Sequence, residues 1–448
     1  MQAKMTPAEV TKILTAKEFS HIMSSKGPVK YFDINTLDSN SPSEDSQAVG
    51  AISHKKGMLF GIFDGHGGDS CGMVVAKRLF DYVSAALLSP QQLENHLNDL
   101  RSEDKSNRQL VKRFNDKFEL IQELKDIYSQ SYTKYVEELK EKQRVLDSAQ
   151  DFKQILIDSF NRLDKDMSDE ATTMAKFPKY KVTNKPVTIA MSGCVAAAAY
   201  INGPHLTVAG AGDVTAVVGY LSETDTWMYH QLTNEHNGEN VEEVKRIRSE
   251  HPDSEKDYIL KGDRLLSCLA PLRAFGDFKF KWKGETVKEV FGCIMQEHEV
   301  VPPYYKTPPY LTARPDVMYH RLTPRDKFLV IGSDGLWEKL TPNQVVRLVG
   351  EYFKGKTVLQ PLGNLPADSK LGDIRKILKA RRNTMKTKPT DTNAATHLIR
   401  YALGGATYGL DHFKLSRSLR LPQDMVRLQR DDITIQVVFF DDEYLRKC

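Results

Sequence analysis

An acid, a flexible backbone and an imidazole stand side by side at Asp64-Gly65-His66, followed by Gly67-Gly68 and preceded by the apolar run Met58-Leu59-Phe60-Gly61-Ile62-Phe63. An apolar run bounded by glycines predicts a buried strand, which delivers these groups to one strand end. Hard divalent cations take oxygen ligands, so Asp64 and the carbonyl of Gly65 suit magnesium or manganese. A single Asp-Gly is more often an ordinary turn. Here the arrangement recurs: Ser333-Asp334-Gly335-Leu336-Trp337 follows Phe328-Leu329-Val330-Ile331, and Asp431-Asp432 precedes Ile433-Thr434-Ile435-Gln436-Val437-Val438-Phe439-Phe440. Three acid-bearing strand ends, supported by Glu44, Asp45 and Asp213, make an oxygen-rich, thiolate-free donor set for two hard cations.

Two cations ~3.5–4 Å apart bind a water between them, lower its pKa and hold a tetrahedral oxyanion for in-line attack. Phosphate-ester hydrolysis by metal-bound hydroxide is the natural reaction class, because it needs positioning and charge neutralisation more than a covalent nucleophile. His66, beside the metal turn, could protonate the leaving alkoxide as a general acid. Taken singly, each acid reads as a cap or turn former and His66 as an ordinary histidine. The joint pattern overturns that.

The elements that must hold these residues come in blocks. Strands are predicted over 57–63, 188–201, 205–210, 214–220, 227–233, 316–321, 327–332 and 433–440, and helices over 70–88, 108–146, 152–168, 239–249, 342–353, 370–383 and 393–403. Blocks of strands, rather than strict alternation with helices, favour an α+β fold with packed sheets. The 108–146 stretch carries Leu110, Phe114, Phe118, Ile121, Leu124, Tyr128, Tyr132, Tyr135 and Leu139 at helical spacing. It reads as a helix packing that stripe on the domain, with partner docking as the alternative. No linker or repeat divides the chain. A single domain over 1–448 is expected, with a motif-bearing core of about 40–440 and a helical insertion of about 100–150.

Composition bounds the class. Of 448 residues 40% are hydrophobic and 27% charged, enough for a large core, and the net charge of +4 gives no reason to invoke nucleic acid or an anionic membrane. Five scattered cysteines without a Cys-x-x-Cys pair argue against a disulfide framework or a zinc site. No apolar stretch approaches the ~18 residues of a membrane span, and no transit peptide is evident at the N-terminus.

Phe63-Asp64-Gly65-His66-Gly67-Gly68, Gly212-Asp213, Arg273-Ala274-Phe275-Gly276-Asp277, Ser333-Asp334-Gly335-Leu336-Trp337-Glu338 and Arg430-Asp431-Asp432 resemble, in order and spacing, the signature of the metal-dependent PPM-type Ser/Thr protein phosphatases. The resemblance implies a central β-sandwich of two antiparallel sheets flanked by α-helices. It also implies that Asp64 bridges two Mg2+ or Mn2+ ions and that Gly65 lends its carbonyl. Asp334 and Asp431 would complete the other ion's shell, while Glu44 and Asp45 orient water ligands. Asp213, Asp334 and Glu338 match a weaker third metal position, His66 the general acid, and Asp277 a structural acid nearby.

Gly262-Asp263-Arg264-Leu265-Leu266, Phe278-Lys279-Phe280-Lys281-Trp282, Thr307-Pro308-Pro309-Tyr310-Leu311-Thr312 and Asn393-Ala394-Ala395-Thr396-His397-Leu398-Ile399-Arg400 resemble the pyruvate dehydrogenase phosphatase branch of that family. This implies a protein-serine/threonine phosphatase that reactivates the phosphorylated pyruvate dehydrogenase complex in the mitochondrial matrix. Its implied partners are the lipoyl-bearing core domain of the complex and a regulatory subunit. The alternatives are a PPM phosphatase for another phosphoprotein and a non-catalytic phosphoprotein-binding scaffold.

Five positions depart from the family pattern. Asn40 stands where many members have an Arg that grips the substrate phosphate, a change shared with the pyruvate dehydrogenase phosphatase branch. Val214 and Cys194-Val195 replace small hydroxylated residues, and Asp432 replaces the frequent Asn. None removes a primary ligand. Gly350-Glu351-Tyr352-Phe353-Lys354-Gly355-Lys356-Thr357 fits the P-loop pattern, but Val345 to Val349 before it reads as helix. A phosphate loop must instead follow a strand and open a helix. A helix ended by Gly355 is expected.

Overall fold

The computed structural model describes residues 5–448 except 25, 56, 103–108, 118, 143–148, 177–184, 293–299, 356–369, 385–387 and 407–408. Phe118, Cys293, Lys356 and Thr357 therefore lie outside the described residues. The fold is α+β with two antiparallel sheets and flanking helices. It divides into two compact units, one of residues 1–43, 216–231 and 322–448, the other of 44–215 and 232–321.

The first unit is built on a six-stranded sheet in the order Phe19–Ile22, Val29–Leu37, Ile433–Phe440, Asp326–Gly332, Thr215–Leu221 and Trp227–Gln231. Ile433–Phe440 is buried at all positions, the polar Thr434 and Gln436 included, so both of its faces are covered. Helices Pro342–Phe353 and Ala394–Gly404 pack their apolar sides with Val217, Phe328, Val330, Ile435, Val437 and Phe439. Thr341 and Gln344 form a capping box ahead of Pro342, so that helix starts where the sequence says it should. It ends at Phe353, with Gly355 in the left-handed region, as expected.

Val29–Leu37 was not among the predicted strands. Its alternation is broken by Asp33 and Asn35, both buried. Asp33 accepts from Ala394 N at 2.8 Å and Ser20 Oγ at 2.6 Å; Asn35 Nδ2 donates to Leu14 O at 2.7 Å and Thr396 Oγ1 at 2.8 Å. The Asn393 to Arg400 segment thus ties its helix to a strand. Arg400 forms a buried pair with Asp391 at 2.7 Å, so the segment is structural.

The second unit carries the other sheet, in the order Asp316–Arg321, His205–Ala211, Gly193–Asn202, Gly57–His66, Asp45–Ile52 and Val111–Phe114, with Phe275–Gly276 added on Gly193–Asn202. The predicted 188–201 strand splits: Lys185–Met191 is a helix and only Gly193–Asn202 a strand. The 108–146 helix is also corrected. Val111–Phe114 is a strand paired with Asp45–Ile52, and the helix runs from Gln122 to Lys142. Its aromatic stripe is internal: Tyr135 stacks on Tyr82 at 4.8 Å, and the Arg78 guanidinium lies 3.8 Å from the centre of the Tyr128 ring. Arg78, on helix Ser70–Ala86, meets Glu170 of helix Ala149–Ala175 through two bonds of 2.9 and 2.6 Å, both residues buried. Packing, rather than docking, uses that stripe.

Candidate active site

In the second unit the strand pairing itself gathers acids. Asp45 lies opposite Asp64 across the antiparallel ladder, with Glu44 one residue before it. Like charges directly opposite one another destabilise a sheet, and a divalent cation would remove that penalty; the donor set fits such an ion. Glu44 also shapes the turn. Its carbonyl accepts from Gly65 N at 3.1 Å, and its Oε1 accepts from Gly68 N at 2.7 Å.

His66 ends the strand and points its Nε2 at Asp277 Oδ2, 2.5 Å away. Gly193 is the register partner of His66. A Cβ there would lie 2.0 Å from Asp277 Oδ2 and 2.1 Å from His66 Nε2, so only glycine admits the pair. Burial pushes His66 toward its neutral form, but Asp277, helped by Asp213 and Glu44, holds its pKa above the ordinary histidine value. The contact of Asp277 with His66 was not foreseen; a glycine heading the alanine-rich strand was the available signal.

Asp213 follows Gly212 in the turn between strands, and burial pushes its carboxyl up. A nearby cation would reverse that direction. Gly212 is held by His236, whose backbone N–H donates to Gly212 O at 2.9 Å. The His236 Nε2 lies 3.2 Å from Asp316 Oδ2, and Asp316 Oδ1 accepts from Arg273 Nη1 at 2.9 Å. Arg273 also forks onto Glu243 at 2.8 and 2.7 Å. The arginine of the Arg-Ala-Phe-Gly-Asp motif is thus committed to the scaffold. Val214, Cys194 and Val195, three departures from the family pattern, are all buried apolar packing.

In the first unit Asp334 opens the short helix Asp334–Trp337, and its carbonyl accepts from Glu338 N at 2.9 Å. Gly335 is needed because a Cβ would fall 2.0 Å from Asp432 O. Asp431 Oδ1 accepts from Asp432 N at 2.7 Å, and its other oxygen pairs with Arg427. Asp432 binds Asn40: Oδ1 accepts from Asn40 N at 2.9 Å and Oδ2 from Asn40 Nδ2 at 3.0 Å, while Ser39 N also donates to Oδ1.

The expected ligands therefore divide, with Glu44, Asp45, Asp64, Gly65 and Asp213 in one unit and Asp334, Glu338 and Asp431 in the other. Among the described residues no three or more His, Cys, Asp or Glu side chains close into a cation cage.

The family pattern described as Protein phosphatase 2C matches residues 95–362, more than half of the chain. Human pyruvate dehydrogenase (acetyl-transferring) phosphatase 1, mitochondrial, is 39% identical over 457 residues, 98% of this chain and 83% of its own. The chain belongs to the protein phosphatase 2C family. It is a protein-serine/threonine phosphatase, and the family is dependent on Mg2+ or Mn2+. The human phosphatase 2 of the same name is 37% identical, over 98% of this chain and 84% of its own. The Saccharomyces cerevisiae protein named as phosphatase 1 is 28% identical, over 98% and 73%. These alignments extend the match beyond residues 95–362 to nearly all of this phosphatase. No described helix is long and apolar enough to cross a membrane.

Proposed function

We propose that this phosphatase, acting as one catalytic domain over 1–448, removes phosphate from serine residues of the pyruvate dehydrogenase complex in the mitochondrial matrix and so reactivates it. The observation that carries the reading is similarity over 98% of the chain to proteins named for that substrate. Asp64, Gly65, Asp334 and Asp431 are the residues we assign to two Mg2+ or Mn2+ ions. Glu44 and Asp45 would order water ligands, and Asp213, Asp334 and Glu338 would serve a weaker third ion. When bound, such ions lower the pKa of water and neutralise phosphoryl oxygens. The chain's own part is proton delivery: with Nε2 engaged by Asp277, Nδ1 of His66 hands a proton to the departing serine oxygen.

Asn40 gives its side-chain amide to Asp432 and carries no charge with which to grip a phosphate. Affinity then has to come from contacts remote from the reacting group. Tyr258 and Tyr304, stacked at 4.2 Å and 43% and 60% exposed, are the docking surface we favour for the lipoyl-bearing core domain of the complex or a regulatory subunit. The test is kcat/KM on the intact phosphorylated complex against a phosphopeptide copied from it. The complex should be far the better substrate, and Tyr258→Ser with Tyr304→Ser should lower that advantage without touching the peptide. Comparable efficiency on the peptide and on unrelated phosphoproteins would refute the substrate while leaving the phosphatase standing.

A further inference from the structure

Asp277 is held in an unusual backbone. Its φ of 49° lies in the left-handed region, where a non-glycine residue persists only if its surroundings impose it. Its own N–H donates to Ser192 O at 3.0 Å. Its carbonyl accepts from Phe280 N at 2.9 Å, and Phe275–Gly276 pairs with Gly193–Asn202; a buried ion pair adds a further restraint. Lys281 Nζ donates to both oxygens of Asp164, at 2.7 and 2.8 Å, and to Ala274 O at 2.7 Å. The Asp164 Oδ1 also accepts from Gly276 N at 3.0 Å. The loop is thus gripped at Ala274, Gly276 and Lys281, on both sides of Asp277.

The pair is shielded, with side-chain exposure of 8% for Lys281 and 13% for Asp164. Trp282 Nε1 bonds Ser168 Oγ at 2.6 Å, and Trp282 stacks on Phe278 at 4.9 Å. Asp164 and Ser168 sit one turn apart on helix Ala149–Ala175, so the helix holds the Phe278 to Trp282 segment at two points. Buried ion pairs are poor sources of net stability but good at specifying one geometry.

We propose that Asp164 and Lys281 are positioning residues for His66, acting through the Gly276-Asp277 backbone. The inference rests on the reading of His66 as proton donor. Loss of the Lys281 charge leaves Asp164 buried without its cation and Ala274 O without its donor, so that the carboxylate holding Gly276 N can shift. Asp277 Oδ2 then moves off the His66 Nε2. Small displacements of a catalytic group cost about a hundredfold in rate, but only where that group is needed.

The experiment compares Lys281→Met, Asp164→Asn, Lys281→Arg and His66→Gln on a phosphoserine protein and on an aryl phosphate, whose phenolate leaves without a proton. Thermal midpoints identify variants that fail to fold. Lys281→Met and Asp164→Asn should lose at least about tenfold on the phosphoserine protein and stay within about twofold on the aryl phosphate; Lys281→Arg should restore the wild-type ratio. The His66 ring resonances, assigned by NMR through their loss in His66→Gln, should move in Lys281→Met in the same direction as in an Asp277→Asn control. Equal losses on both substrates in folded Lys281→Met, with His66→Gln still discriminating, would overturn this inference alone. No discrimination by His66→Gln would remove the proton-donor reading instead. Unmoved His66 resonances in Lys281→Met would overturn the positioning role whatever the kinetics.

Discussion

Asn40 gives its backbone N–H and its side-chain amide to the two oxygens of Asp432, at 2.9 and 3.0 Å. Each residue departs from the family pattern, and the contact accounts for both departures together: an acid at 432 is the acceptor that an amide at 40 needs. Asp432 is buried and also accepts from Ser39 N. Asp432→Ala should therefore strand those donors and cost about 1–3 kcal/mol. A lower urea midpoint at unchanged slope checks it; a midpoint equal to wild type would show the bonds to be expendable.

The opposed Asp45 and Asp64 make a prediction that needs no turnover. In excess chelator, Asp64→Asn should be at least as stable as wild type, because a like-charge pair across the ladder has been relieved. Adding Mn2+ should raise the wild-type thermal midpoint and leave the variant nearly unmoved. Activity should vanish with chelation and return with Mg2+ or Mn2+. Full activity in chelator would exclude the cation role.

His66→Gln should slow hydrolysis of phosphoserine proteins by about 10²–10⁴-fold while barely affecting aryl phosphates. Matching losses on the two substrates would make the residue structural.

Glu243 sits between Arg273 and Arg246, and although burial opposes it, their bonds depress its pKa to about 2. A depressed folded-state pKa contributes stability above the unfolded value and loses it as pH falls through the folded one. The contribution is thus complete above about pH 4.5 and disappears toward about pH 2. It amounts to roughly 3 kcal/mol in order of magnitude. Glu243→Gln should flatten the acid limb of the stability curve across that window, measured by denaturant unfolding at several pH values. An unchanged acid limb would show that the pair contributes nothing.

Tyr135 is buried against Tyr82. Tyr135→Ala should cost about 3–5 kcal/mol and leave kcat/KM per folded molecule unaltered on both the complex and the phosphopeptide. A selective loss on the complex would return the helix to the role of docking surface.

Strands carried by consecutive apolar residues were legible: Phe328 to Ile331 marks Asp326–Gly332, and the stretch from Ile433 to Phe440, polar only at Thr434 and Gln436, has the observed bounds. Val29–Leu37 was not, because its interior holds Asp33 and Asn35, whose partners on Ser20, Leu14, Ala394 and Thr396 come from distant parts of the chain. The 108–146 helix was overextended for a related reason. Leu110 and Phe114 continue the helical spacing by coincidence, while Val111 pairs with Ile52 across a ladder that periodicity cannot see. In the candidate site the acids announced themselves through motifs. Asp164 and Lys281 did not, since neither is chemically distinctive until the fold brings them together.

The register that sets Asp45 against Asp64 also limits how this chain can vary in length. Side chains alternate with a period of two, so a one-residue insertion that shifted the pairing would turn one carboxylate to the opposite face of the sheet and drag the apolar set with it. On the proposed role of the two acids, their spacing matters as much as their identity, and a deletion between them that shifts the register should inactivate without removing either carboxylate.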